Sequence, residues 1–238
     1  MKKTATNPGF FSPSGGLVWH ARALRNRSSW RVFRAALSAW LEAWPHGRKK
    51  LLLLGPSAGW CMPTRFLGSF SEIHAVDFDP LAPFFFSVLH GWHLRRQKTA
   101  ISWCRSNFIR HLEQILREHP EHAVLFGNTL GQHRLHCADI ATAEADISAL
   151  AEKLQGRPWA SFHDRLSGAW NPCRTTPRAF SCRGRLPSAH LAIRYDVAVE
   201  WTDHLTEGLL PADTPCLYLP WRLEQSRLHI VEAGWRAG

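Results

Sequence analysis

The sequence predicts an α/β protein built on a mostly parallel sheet, because strand-like and helix-like segments alternate between residues 49 and 164. Unbroken apolar runs such as Lys50–Leu54 are typical of parallel strands buried on both faces. Strands separated by helical segments form βαβ units with right-handed crossovers, which place helices on both faces of the sheet. The 238 residues are 45% hydrophobic and 20% charged, a composition that excludes disordered, collagen-like and coiled-coil chains.

About seven strands are predicted, and each is justified by a local pattern. Five short apolar segments precede or follow amphipathic ones, and we predict strands at residues 50–54, 73–78, 99–104, 123–126 and 159–162. Helical periodicity lies between them, and we predict helices at residues 60–70, 81–95, 108–119 and 140–154. Residues 217–223 and 228–235 predict an antiparallel hairpin at the sheet edge, joined by residues 224–226.

The chain before the first strand is predicted to form an addition to this domain. Residues 1–16 are rich in Pro, Gly, Ser and Thr, which indicates a flexible arm. Apolar residues then recur at helical spacing and predict a helix packed on the core: Trp30, Phe33, Leu37, Trp40, Leu41 and Trp44. A membrane-surface helix is the alternative. We therefore divide the chain into residues 1–46, the arm and helix, and residues 47–238, one domain with an Arg-rich insertion at about 165–194, of which residues 167–187 are predicted to be irregular.

The charge distribution favours an anionic substrate. The net charge is +10, of which residues 1–50 carry +9 and residues 165–194 carry +6, whereas the centre is close to neutral. Basic segments attract phosphate-bearing or carboxylate-bearing ligands. RNA is one candidate and an anionic small molecule is another, while the alternative is an ordinary cationic surface.

The remaining composition predicts a cytoplasmic protein without a metal. No apolar run approaches the roughly 18 residues of a membrane span, and Lys2 and Lys3 are not followed by the apolar region of a signal peptide. The six scattered cysteines are expected to be reduced. Three H-x-x-H pairs occur, but no further ligands recur at metal-site spacing.

The turn after the first strand is the strongest functional signal. Residues 55–59 read Gly-Pro-Ser-Ala-Gly between a strand and a helix, an arrangement that lets backbone N–H groups approach a ligand. Asp77 follows about twenty residues later at the end of the second strand, where an acid can accept hydrogen bonds from both ribose hydroxyls. The turn departs from the dinucleotide and P-loop patterns, but it matches the G-x-S-x-G elbow of serine hydrolases, with Asp164 and His204 or His229 in the required order.

This pattern resembles the class I S-adenosylmethionine-dependent methyltransferases, with a degenerate first motif in which Ser57 replaces the middle glycine and Leu53 replaces an acid. The resemblance covers residues 49–164 and implies a Rossmann-like sheet, adenosylmethionine as cofactor and methyl transfer to an unidentified acceptor. The residues implied in cofactor binding are Gly55, Pro56, Ser57, Gly59, Asp77, Phe78, Asn107 and Asn128. Two alternatives stay open: a serine hydrolase using Ser57, and a non-catalytic Rossmann-like binding protein.

No catalytic residue is assigned, because methyl transfer from a sulfonium requires alignment more than a general base. Candidates for a base are His163, Asp164 and His204.

Overall fold

A computed structural model describes residues 16–175, 177–197 and 200–238. The predicted arm at residues 1–16 lies almost wholly outside the described residues. The described chain forms one sheet of nine strands in the order β3-β2-β1-β4-β5-β9-β8-β6, and β7 pairs separately with β5. The strands are β1 Lys50–Leu54, β2 Glu72–Asp77, β3 Ala100–Arg105, β4 His122–Gly127, β5 Trp159–Ala169, β6 Phe180–Cys182, β7 Thr202–Asp203, β8 Cys216–Glu224 and β9 Arg227–Arg236.

The sheet confirms the predicted architecture. Strands β1 to β5 are mutually parallel, with the apolar strand β1 between β2 and β4 at the centre. Strand β9 runs antiparallel to β5 and forms a hairpin with β8, as predicted. This is the mostly parallel, Rossmann-like fold with an antiparallel hairpin that the alternation of strands and helices indicates.

The described sheet has nine strands where about seven are predicted, and residues 165–194 contain regular elements as well as irregular chain. Strand β5 continues to Ala169 because β9 pairs with it from Trp159 onward. Beyond it lie the short strand β6 and the helix Ser188–Tyr195. The extension could not be predicted because polar residues occupy it: His163 and Arg165 lie inside β5, and both contact the buried Glu232 of β9. A sequence pattern cannot show that such partners exist.

Helices cover both faces of the sheet. They are α1 Gly16–Asn26, α2 Arg31–Ala43, α3 Thr64–Leu67, α4 Ala82–Phe86, α5 Trp92–Arg96, α6 Phe108–Glu118, α7 Ile140–Ser148, α8 Leu150–Lys153 and α9 Ser188–Tyr195. Helices α1 to α5 pack on one face, and α6 to α9 pack on the other. A π-helical turn at Ser87–Gly91 joins α4 to α5, and a 3-10 segment at Leu130–His136 follows β4. No helix in the described part of the chain is long and apolar enough to span a bilayer.

The N-terminal addition consists of two helices instead of the single predicted one. Helix α2 is the predicted Trp-rich helix, and its apolar face is buried on the sheet. Helix α1 was missed because its buried face includes the polar His20, which weakens the apolar periodicity. The two helices meet at Trp30, which is fully buried, stacks on Trp19 and contacts Trp221 edge-on at 5.0 Å between ring centroids.

Trp30→Ala should therefore destabilise the whole domain. The indole Nε1 of Trp30 donates to the Leu223 carbonyl at 3.1 Å, so the substitution removes a buried ring and leaves that acceptor unpaired. We expect a loss of about 3–5 kcal/mol in the free energy of unfolding, measured by urea denaturation. Trp92→Ala is the matched control, because Trp92 is 65% exposed, and it should cost less than about 1 kcal/mol. Equal losses in both variants would contradict this role for Trp30.

Candidate functional site

The turn after β1 adopts a conformation that glycine makes possible. Gly55 and Gly59 have φ angles of 64° and 67°, and Ser57 between them has a φ of 48°. A Cβ atom at Gly55 would overlap the side chain of Thr129, and one at Gly59 would lie 2.9 Å from His90 Nε2. Both glycines are thus required by the packing of the turn itself, whatever ligand the turn holds.

Asp77 ties the end of β2 to this turn. Its Oδ2 accepts a hydrogen bond from the backbone N–H of Ser57 at 2.6 Å, and its Oδ1 accepts one from the N–H of Asp79 at 2.8 Å. Burial raises the pKa of Asp77 to about 6, against the backbone hydrogen bonds that lower it. Each carboxylate oxygen keeps a further lone pair, so Asp77 can still accept hydrogen bonds from a ligand.

A cavity lies between the turn, Asp77 and the end of β4. Seven of the eight residues implied in cofactor binding line it: Gly55, Pro56, Ser57, Gly59, Asp77, Phe78 and Asn128. The eighth, Asn107, lies in an adjoining smaller pocket that shares Phe78 and Thr129 with the cavity. Its side chain also caps α6 by accepting from the Arg110 N–H at 3.5 Å. The residues selected from the sequence pattern thus lie around one cavity and its neighbouring pocket. Both are at the carboxyl ends of the parallel strands, where open α/β sheets bind ligands.

Helix α1 supplies the residues of the site that the sequence did not reveal. Trp19 lines the cavity, and its Nε1 donates to Ser57 Oγ at 3.1 Å. The neighbouring His20 places Nε2 3.1 Å from the buried Asp79 Oδ2, while its Nδ1 accepts from Trp60 Nε1. The Gly16 N–H donates to the same Asp79 carboxylate at 3.0 Å. No motif spacing links these residues, so only the folded chain could identify them.

Trp19 of α1 forms part of the cavity wall. The cavity has a volume of about 60 Å³, and Trp19 is the residue of α1 that a ligand entering it would meet.

The hydrogen bonds of Ser57 do not form a hydrolase triad. Among the described residues they run to Trp19 and to Asp77. The histidines proposed for a triad lie together elsewhere, where His229 Nδ1 is 3.0 Å from Asp164 Oδ1. The resemblance to a G-x-S-x-G elbow is therefore confined to the backbone of the turn.

Of the three candidate bases, Asp164 and His204 lie close together, whereas His163 lies apart from them. His163 is fully buried and its Nε2 lies 3.2 Å from Glu232 Oε1, away from the cavity. Asp164 lies beside the cavity residue Asn128, whose Nδ2 is 3.5 Å from Asp164 Oδ2. Burial opposes the ionisation of Asp164, but the adjacent His229, followed by His204 and Asn128, keeps its pKa below the usual value. Burial lowers the pKa of His204.

The five parallel strands in the order β3-β2-β1-β4-β5, with an antiparallel hairpin beside β5, form a Rossmann-like sheet. No protein-family model matches the chain, and no curated protein sequence matches it. The N-methyltransferase NodS from Bradyrhizobium japonicum, solved with S-adenosyl-L-homocysteine, is 11% identical, with a TM-score of 0.37 and 78% of each chain covered. An O-methyltransferase family protein from Burkholderia thailandensis is 12% identical, with a TM-score of 0.42 over 89% of this chain and 58% of that one. The N-terminal domain of EvdMO1 with SAH bound is 16% identical, with a TM-score of 0.42 over 91% of this chain and 81% of that one.

His20→Ala should destabilise the fold by removing the imidazole that contacts the buried Asp79 carboxylate, which then keeps only its backbone N–H donors. We expect a loss of about 3–5 kcal/mol in the free energy of unfolding by urea denaturation, the range typical of a broken buried pair. His20→Gln, whose amide can donate to Asp79, should lose less. His111→Ala on the exposed side of α6 is the control. A loss below about 1 kcal/mol for His20→Ala would show that α1 is not held by this contact.

Proposed function

We propose that this protein is an S-adenosylmethionine-dependent methyltransferase. The observation that carries the proposal is Asp77, a buried carboxylate at the end of β2 that is hydrogen-bonded to the Ser57 N–H and lines the same cavity as the Gly55 turn. An acid in this position, next to a glycine-bearing turn, suits a ribose diol, since two hydroxyl donors meet two carboxylate oxygens. The Asp77 carboxylate therefore offers the hydrogen-bond acceptors that the ribose of the cofactor needs.

Three parts of the site would each hold one part of the cofactor. Asp77 would hold the ribose, and the turn from Gly55 to Gly59 would face the amino-acid end of the ligand with backbone groups. Phe78 and Asn107, in the adjoining pocket, would border the adenine. Bound there, the cofactor supplies a methyl group already activated on a sulfonium.

The chain's own task is to align the acceptor and to exclude water. Aligning two reactants can lower a barrier by about 7–11 kcal/mol, so no general base needs to be assigned. Trp19, Met62 and Trp221 give the cavity apolar walls that exclude water from the reacting atoms.

Adenosylhomocysteine should bind the purified protein in calorimetry, and Asp77→Asn should weaken that binding. Each hydrogen bond to a charged group is worth about 1.5–3 kcal/mol, which corresponds to roughly a 10-fold to 150-fold loss in affinity per bond. Asp213→Asn is the matched control, because Asp213 is exposed and pairs with Arg236. Absence of binding to the wild-type chain would leave a non-catalytic Rossmann-like protein as the better description.

The same titration repeated across pH tests the protonation state of Asp77. Since the pKa of Asp77 is about 6, the carboxyl is ionised above that pH and protonated below it. The ionised form accepts both ribose hydroxyls, so affinity should rise between pH 5 and pH 7 and then level off. Asp77→Asn should abolish this dependence, and a pH profile unchanged by the substitution would rule out Asp77 as its source.

We further propose that the methyl acceptor is anionic. The cavity residue Cys61 is close enough to Arg27 and Arg34 for both charges to influence the pKa of its thiol. Burial, followed by the like charge of Arg34, lowers the pKa of Arg27, so the two positive charges act on each other. Arginines in such a pair can bind a phosphate or carboxylate bidentately.

The Arg-rich insertion contributes less free positive charge near the cavity than its composition predicts. Arg165 is buried against Glu232, Arg174 pairs with Asp196, and Arg185 donates to the Glu207 carbonyl. These positive charges are partly neutralised within the fold. The charge beside the cavity therefore comes mainly from the N-terminal helical region.

Retention on single-stranded RNA across a salt series separates the two classes of anionic acceptor. A polyanion binder should lose affinity with a log–log slope near −0.7 per neutralised phosphate, and Arg27→Gln with Arg34→Gln should flatten that slope. Arg117→Gln, on α6 on the opposite face of the sheet, is the control. Affinity that is independent of salt would exclude RNA and leave an anionic small molecule.

A further inference from the structure

Three potential metal ligands converge beside the candidate cavity from separate parts of the chain. Asp164 comes from β5, His229 from β9, and His204 from the loop after β7. One ligand atom from each lies within 4.8 Å of the other two. Asn128, which lines the cavity, touches Asp164 and links the cluster to the cavity wall.

His204 is held in the tautomer that a metal ligand needs. The Gly131 carbonyl lies 2.9 Å from Nδ1, and a carbonyl can only accept, so Nδ1 carries the proton. Nε2 therefore presents its lone pair, which the Ser167 hydroxyl occupies at 2.8 Å. A backbone carbonyl on one ring nitrogen is the usual outer contact of a metal-bound histidine, and an ion would have to replace the Ser167 hydroxyl at the other.

The other two residues leave polar atoms unpaired in the interior. Asp164 Oδ1 and His229 Nδ1 contact each other at 3.0 Å, whereas His229 Nε2 and the adjacent Asn128 Oδ1 have no hydrogen-bond partner among the described residues. His229 is 8% exposed and Asp164 is 5% exposed, so bulk water does not compensate them. Buried polar atoms of this kind call for an explanation.

We propose that Asp164, His204 and His229 bind one divalent transition-metal ion. Metal bonds to imidazole nitrogen and carboxylate oxygen are about 2.0–2.2 Å long, so two ligands at right angles lie about 3.0 Å apart. That is the distance between Asp164 Oδ1 and His229 Nδ1. Two imidazoles and one carboxylate favour Zn²⁺, Mn²⁺ or Fe²⁺ over Mg²⁺ or Ca²⁺, which prefer oxygen ligands.

A second group of potential metal ligands in this chain, His133, Cys137 and Asp146, is the alternative binding site for the ion. His133 Nε2 lies 2.8 Å from Asp146 Oδ2 and 3.1 Å from Cys137 Sγ. Its members satisfy one another by hydrogen bonds, and Asp146 is largely exposed. The second cluster contains the thiol of Cys137, whereas the proposed site contains none. A metal ion in the second cluster would therefore have a sulfur ligand, which X-ray absorption detects.

The metal-free protein, titrated with Zn²⁺ alone against a chromophoric chelator, should bind one equivalent. His229→Gln and His204→Gln should each weaken binding by more than about 100-fold, because even the loss of an outer contact costs 10-fold to 100-fold. His133→Gln should leave that equivalent in place. Loss of the bound ion in His133→Gln with retention in His229→Gln would overturn the proposal, as would the absence of micromolar binding to the wild-type chain.

X-ray absorption at the zinc edge, on the loaded wild-type protein, does not depend on whether the variants fold. Nitrogen and oxygen scatterers only, with an imidazole signature, are expected. A sulfur scatterer at about 2.3 Å would assign the ion to Cys137 and refute the proposal. Both measurements omit adenosylhomocysteine, so a failure of the proposed cofactor binding would not affect their outcome.

Discussion

The pairing of β9 with the whole length of β5 is the constraint on which the rest of the molecule depends. The pairing runs from Trp159 to Ala169 of β5. Buried polar side chains lie within it, where Glu232 of β9 contacts Arg165 and His163 of β5. The Tyr218 hydroxyl donates to the same carboxylate at 2.6 Å from β8. Because the hairpin is fixed to β5, both Trp221 and His229 come to lie at the edge of the sheet that carries the candidate cavity.

The charges at this junction are buried, and burial alone would make them unfavourable. Desolvation opposes the ionisation of Glu232, but the hydrogen bond from His163 and the charge of Arg165 keep its pKa below the usual value. Arg165 is satisfied further by the Leu186 carbonyl and by Ser188, which hold the chain before α9. An ion pair of this kind contributes less to stability than to a unique alignment, since any shift of β9 by one residue would leave a charge without its partner.

The parts of the fold that follow from apolar pattern and turn chemistry could be predicted, and the parts that depend on buried polar pairs could not. The strand β1, the acid Asp77 and the edge hairpin each show in the sequence as a local signal. Helix α1 escaped prediction because His20 is buried by pairing with Asp79, 59 positions away. The sequence names Asp164, His204 and His229 only as triad partners of Ser57, and it could not show that they form a cluster of their own, since they belong to three segments. Polar contacts between residues far apart in the chain produce no periodic pattern in the sequence, so they cannot be predicted from it.

The contact of Trp19 with the candidate cavity has a consequence for the strength of ligand binding. The indole Nε1 donates to Ser57 Oγ, and the neighbouring His20 contacts the buried Asp79. A ligand that displaces Trp19 must break the hydrogen bond to Ser57, so the free energy of that bond is subtracted from the observed affinity. Contacts that stabilise α1 on the fold therefore oppose the binding of any ligand that needs the space of Trp19.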